Sequence, residues 1–273
     1  MTCPVDDLTA HADEPWDHPR AVPGTRRLDF QCCDGDGSDW ALYRPPDRGA
    51  SWVVVLHGHG STGDQLFTRD DIRTHWLKWI LAQGLGVLTP HLHGNAWMHA
   101  RAVADLHGLV RWLRRDCGAR RLVLLGGSMG GASALIHAIR HPEDFQAVAA
   151  LCAATDLAQL HGSLAGQTEW PQAEIAAALE AGYGGPPACC APAYEAHGVL
   201  RHAHRLAMPL YVAHGDDDPL IPVAHTERLR GALPPDAPAT FEILAGGGHD
   251  APLTAPGLRP WLARHALPGK AHA

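Results

Sequence analysis

Continuous apolar runs alternate with stretches of three- and four-residue periodicity along most of the chain. "WVVVLHG" from Trp52 ends in turn residues, and "RLVLLGG" from Arg121, "AVAALC" from Ala147 and "PLYVAHG" from Pro209 are runs of the same apolar kind. They read as strands buried on both faces. Gly86–Thr89 and "ATFEIL" at 239–244 read as shorter strands. Between them, Ile72–Gln83, His99–Asp116, Met129–Arg140, Ala224–Gly231 and Leu258–Ala266 are predicted helices. Val103, Leu106, Val110 and Leu113 fall on one helical face. Gly118 follows the end of that helix, and Pro142 stops the next. Upstream, Leu28–Cys33 and Asp39–Arg44 flank "DGDGS" and read as two strands around a turn.

Two segments break the pattern. Residues 1–27 carry Pro4, Pro15, Pro19 and Pro23, which oppose helix and strand, and read as an extended arm. Residues 155–205 interrupt the alternation. Within them Gln172–Ala181 is helical in pattern until "GYGGPP" stops it. Fifty residues are too few for a separate domain, so this is an insertion. The prediction is an α/β domain over residues 28–273, with a mostly parallel sheet of about eight strands and helices on both faces.

Composition narrows the classes of function. The 273 residues carry a net charge of -7, with 46% hydrophobic and 19% charged residues. An acidic chain lacks the basic face that binding to nucleic acid requires. The N-terminus has no apolar signal core, and no run is long enough to span a bilayer. No membrane association is expected, and the expected location is the cytoplasm. Seven cysteines, including the neighbours Cys32–Cys33 and Cys189–Cys190, read as mostly free thiols. The 20 histidines invite a metal, but no Cys/His spacing or H-E-x-x-H is present. No metal and no cofactor are therefore expected. Nothing in the sequence sets an oligomeric state.

The candidate chemistry begins at "GGSMGG". Gly126, Ser128 and Gly130 satisfy G-x-S-x-G, after a predicted strand and ahead of a predicted helix. A plain glycine-rich turn is the bland alternative. A sharp strand-to-helix turn instead exposes the serine Oγ at a helix N-terminus, where the peptide dipole favours negative charge. A serine hydroxyl needs a base, usually His, oriented by a carboxylate. Downstream, "YVAHGDDDPLIP" presents Asp216, Asp217 and Asp218, and "LAGGGHDAP" presents His249. Both follow strands, at the end where open α/β sheets bind ligands.

These motifs, with "LHGHG" at 56–60, resemble the α/β-hydrolase superfamily, close to dienelactone-hydrolase-like and prolyl-oligopeptidase-like esterases, from about Leu28 to Ala266. The resemblance implies an α/β-hydrolase fold and a Ser–acid–His order along the chain. The family pattern H-G-x-x-D-x-x-V-P lays its acid on Asp218, with Ile221 in place of Val and with Asp216 and Asp217 as bystanders. His249 matches the base. Backbone N–H groups of Met129 and His59 match the oxyanion hole, and His57 is expected to brace that loop. The insertion at 155–205 matches a small cap. Asn95 and Trp97 in "HLHGNAWMHA", with Trp170 and Tyr183 in the insertion, are candidate substrate contacts.

The function this implies is a serine carboxylic-ester hydrolase acting on a small-molecule ester. A serine peptidase or amidase of prolyl-oligopeptidase type is the alternative. Such peptidases usually carry a propeller that a 27-residue arm does not supply. Dienelactone hydrolases normally use Cys where Ser128 stands. A non-catalytic binding protein on the same fold predicts a damaged triad.

Overall fold

The structure is a computed structural model that describes residues 8–268. Nine strands form one sheet: β1 (Thr9–Pro15), β2 (Arg26–Gln31), β3 (Ser38–Arg44), β4 (Ser51–Leu56), β5 (Gly86–Pro90), β6 (Arg121–Gly127), β7 (Ala147–Leu151), β8 (Leu210–Gly215) and β9 (Ala239–Leu244). Their order is β1-β2-β3-β5-β4-β6-β7-β8-β9. From β5 to β9 neighbouring strands are parallel, while β1, β2 and β3 are joined antiparallel. The apolar runs of β4, β7 and β8 are buried throughout, as their composition demands.

The ninth strand corrects the reading of the arm. Thr9–Pro15 pairs with β2 at the sheet edge, with Pro15 closing the strand and no proline inside it. An edge strand leaves one side unpaired, so a terminal proline costs no ladder bond. The rest of the arm up to β2 carries the other described prolines, Pro19 and Pro23, outside any strand.

Helices cover both faces. Alternate side chains of β4 and β6 point in opposite directions. Val54 and Leu124 join Leu106, Val110, Leu135 and Ile136 in one core. Val53 and Val123 join Phe67, Ile80, Leu258 and Trp261 in the other. The first core lies under α4 (Ala100–Asp116) and α5 (Met129–Arg140). The second lies under α1 (Gln65–Thr68), α2 (Asp70–Ile72), α3 (Lys78–Ala82) and the late helix Leu258–Ala266. The single helix predicted over 72–83 is in fact interrupted by a π turn at Arg73–Leu77. Trp76 sits in that turn and donates its indole N–H to the Leu253 carbonyl at 2.7 Å.

The insertion between β7 and β8 holds three helices: α6 (Leu157–Leu164), α7 (Gln172–Tyr183) and α8 (Pro187–Ala196). Only the second has a sequence pattern long enough to be read. After β8 come α9 (Ala224–Ala232), β9 and α10 (Leu258–Ala266). Among the described residues no helix is long and apolar enough to cross a membrane.

The insertion is tied down by histidines that need to be neutral. Thr155 donates its N–H to His225 Nδ1 at 3.2 Å, and His197 packs edge-on against Tyr183. Burial, helped by Arg228, pushes His225 down to about 4, and burial, helped by Arg140, does the same to His197. In the unfolded chain each has an ordinary value near 6.5. The unfolded state therefore binds protons first. The stability is present above about pH 6.5 and is lost as pH falls toward about 4. The melting temperature is expected to drop over that window, and the double variant His197→Asn/His225→Asn to flatten the drop. An unchanged slope would contradict the assignment.

Candidate active site

The strand order itself marks a location. From β4 the chain steps to β5 on one side, then returns to β6 on the other. Such a reversal opens a crevice at the C-terminal ends of the two central strands. Here β4 ends at Leu56, leading into His57–Gly60, and β6 ends at Gly127, leading into Ser128.

Ser128 sits at φ 56° and ψ -122°, a left-handed conformation that L side chains rarely adopt. Its N–H is held by the Leu151 carbonyl at 2.9 Å. The flanking residues must be glycine for reasons of space. A Cβ on Gly126 would lie 2.2 Å from the Gly130 carbonyl oxygen, and one on Gly130 would lie 2.3 Å from that of Leu56. The turn is thus strained and fully determined by its surroundings, not a flexible spacer.

Three side chains from three loops meet here. Ser128 Oγ donates to His249 Nε2 at 2.9 Å, and His249 Nδ1 donates to Asp218 Oδ2 at 2.7 Å. Asp218 Oδ1 accepts the N–H groups of Leu220 and Ile221, both at 2.9 Å. Burial alone would raise the Asp218 pKa, but hydrogen bonds from His214 and His249 outweigh it and hold the carboxyl well below the usual range. Asp218 is therefore ionised at neutral pH, and His249 is oriented with Nε2 facing the serine.

Asp217 is exposed, whereas Asp216 is more than a bystander. Its Oδ1 accepts the Gly246 N–H at 2.6 Å and so braces the loop that carries His249. His214 was not singled out by its sequence. It is fully buried, accepts from Thr226 Oγ1 at 2.8 Å and donates from Nε2 to the Ile221 carbonyl at 2.7 Å, 3.2 Å from Asp218 Oδ2.

The "LHGHG" loop is fixed on either side of His59. Gly58 N–H donates to Gln65 Oε1 at 3.0 Å, and Gly60 N–H donates to Asn95 Oδ1 at 2.8 Å. Among the described residues no acceptor takes the N–H of His59 or Met129. His57 reaches across to the His91 carbonyl at 2.8 Å from Nε2. The His59 imidazole is buried, accepts from Trp97 Nε1 at 3.2 Å, and lies 3.7 Å from Glu174 of α7. Burial lowers its pKa, partly opposed by Glu174, so the ring is neutral at pH 7.

The four candidate contacts separate. Asn95 is engaged on both ends, with Gly60 and with Glu174 at 3.1 Å, and acts as a clamp. Trp97 is buried and supports His59 while facing a hollow beside Met129. Tyr183 is buried, stacks on Tyr194 and donates to the Trp97 carbonyl at 3.0 Å, so it belongs to the core joining the insertion to the rim loop rather than lining free space. Trp170 is 74% exposed, beside Gly60. The space at Ser128 is a small, solvent-open hollow of about 30 Å³, walled by Leu56, Ile72, Trp76 and Leu253, with Gln65 and Arg69 at its polar edge. Gln65 and Arg69 had no signal in the sequence, because they reach the site only through the fold of the short helices α1 and α2.

The fold is similar to the esterase Est1E from Butyrivibrio proteoclasticus (TM-score 0.66, 13% identity, covering 88% of this chain and 98% of that one). It is similar to the Pyrococcus furiosus esterase Pf2001 (TM-score 0.66, 16% identity, 94% and 100%). It is also similar to a puromycin-hydrolyzing peptidase from Mycobacterium tuberculosis (TM-score 0.64, 21% identity), covering 84% of this chain but only 37% of the peptidase. At such identities the likeness establishes an α/β-hydrolase fold. No curated protein matches the sequence. The prolyl oligopeptidase family matches residues 71–252, about two thirds of the chain, a span that takes in the Ser128 turn, Asp218 and His249. The chain is therefore a hydrolase-fold member of the prolyl oligopeptidase family.

Proposed function

We propose that the protein is a serine hydrolase that cleaves carboxylic esters through an acyl-enzyme. The observation that carries this reading is the unbroken hydrogen-bonded line from Ser128 through His249 to Asp218, ending at the topological switch point. Ser128 Oγ attacks the acyl carbonyl as its proton passes to His249 Nε2. Asp218 keeps the imidazole in the Nδ1–H form and stabilises the imidazolium. The oxyanion is received by the N–H groups of Met129 and His59, each worth ~3 kcal/mol of barrier. Collapse breaks the bond to the alcohol, which leaves with the proton from His249. Water repeats the sequence, with His249 taking its proton, and releases the carboxylic acid and free Ser128.

Two features favour esters over peptides. The esterases above align over nearly their whole length, while the peptidase aligns over 37% of its own. The enclosed space at Ser128 is only about 30 Å³ between the walls of Leu56, Ile72, Trp76 and Leu253, which suits a short acyl group better than a peptide. The insertion reaches the loop carrying His59 through Glu174, 3.7 Å from the imidazole, and through Trp170 beside Gly60. The test is a panel of p-nitrophenyl esters of rising acyl length beside aminoacyl-anilides. Ester kcat/KM is expected to exceed anilide kcat/KM and to fall as the acyl chain lengthens. Faster anilide turnover would move the assignment to a peptidase, and no turnover of either class would favour a binding protein.

A further inference from the structure

Outside the hydrolytic site, the β2–β3 turn, the loop after β5 and helix α4 bring three unlike donors together. Cys32 Sγ, a ring nitrogen of His93 and a carboxylate oxygen of Asp105 lie within 4.8 Å of one another. Cys32 and Asp105 are buried, at 1% and 0% exposure. His93 Nε2 is 2.7 Å from Asp105 Oδ2, and on its far side Nδ1 is 3.9 Å from Asp39. The other oxygen of Asp105 accepts the Cys33 N–H at 2.6 Å. The Arg101 guanidinium, paired with Asp34 at 2.9 Å, stands against the Cys32 sulfur.

We propose that Cys32, His93 and Asp105 form a binding site for a thiophilic divalent cation of the zinc type, distinct from the hydrolytic centre. A thiolate, an imidazole and a carboxylate together match zinc, and the sulfur disfavours magnesium and calcium, which take oxygen donors. The surroundings fit ligation. Asp39 accepts the His93 backbone N–H at 2.8 Å and so holds the residue in place, with Nε2 on the side of Asp105. The Cys33 N–H orients Asp105. The cation replaces the Cys32 thiol proton, which leaves to solvent, and a water completes the coordination.

The placement gives the site a consequence. Leu92, His93, Trp97 and Met98 all have positive φ, so the loop is held in a strained shape. The same loop supplies the His91 carbonyl to His57, Asn95 to Gly60 and Trp97 to His59. A cation at His93 pins the loop that shapes the segment around His59.

The probe is Co²⁺ titrated into the chelator-stripped full chain. Stoichiometric uptake is expected, with a near-ultraviolet thiolate-to-cobalt charge-transfer band, bleached on addition of Zn²⁺. Zn²⁺ is expected to raise the melting temperature. Cys32→Ser and Asp105→Asn are expected to abolish the band. His107→Ala is expected to keep it, since His107 belongs to a separate, more exposed group with His141 and Glu143 and contacts none of the three proposed ligands. A wild-type protein that shows no thiolate band overturns the proposal, whatever the folding of the variants. So does a band that survives in Cys32→Ser. Either result leaves the ester hydrolysis reading untouched, because that reading is scored by turnover alone.

Discussion

Ser128→Ala is expected to lower kcat on p-nitrophenyl esters by roughly 10⁵–10⁶-fold, the scale seen when a serine nucleophile is removed. The fold should survive. The left-handed backbone at Ser128 is held by the Leu151 carbonyl and by the close approach of Gly126, Gly130 and Leu56, none of which involves the hydroxyl. Alanine retains the same Cβ, so the strain is unchanged and the melting temperature should stay near that of wild type. The loss is then chemical. Turnover within tenfold of wild type in a purified Ser128→Ala sample would remove Ser128 from the mechanism.

The second large effect separates neighbouring carboxylates. Asp218→Asn is expected to cost about 10⁴-fold in kcat, and Asp216→Asn less than about tenfold. An amide at 218 presents an N–H₂ where His249 Nδ1–H now donates, so the ring is turned to the wrong tautomer. It also loses the charge that stabilises the imidazolium. Buried His214, 3.2 Å from the same oxygen, leaves the new amide little room to rearrange. At 216 the substitution keeps an oxygen to accept the Gly246 N–H, so the loop carrying His249 stays braced. The reverse ranking in kcat would move the acid to Asp216.

What was legible in the sequence had a local cause. β4, β6, β7 and β8 are unbroken apolar runs because parallel central strands are buried on both faces. Ser128 was legible because its turn demands glycines at fixed offsets, and Asp218 and His249 because each follows a strand in a short motif. β1 was not legible. Its residues are mostly exposed, so no apolar alternation marks it as a strand. The π turn was hidden inside an otherwise helical pattern, and α8 begins at Pro187 with Pro192 inside, a composition that reads as loop. The contacts of Gln65, Asn95, Glu174 and Tyr183 depend on how α1, the rim loop and the insertion pack together, and no spacing along the chain encodes that. Cys32, His93 and Asp105 are likewise far apart along the chain, and only the packing of the β2–β3 turn, the rim loop and α4 brings them together.

The proposed mechanism stands or falls on Ser128 as the nucleophile. The most direct measurement is labelling of the wild-type protein with a fluorophosphonate, with esterase activity followed in parallel and the adduct located by peptide mass mapping. Activity is expected to fall in step with labelling, with the phosphonyl group on Ser128 and no uptake by Ser128→Ala. An adduct on another residue, or full turnover by protein carrying the Ser128 adduct, would contradict it.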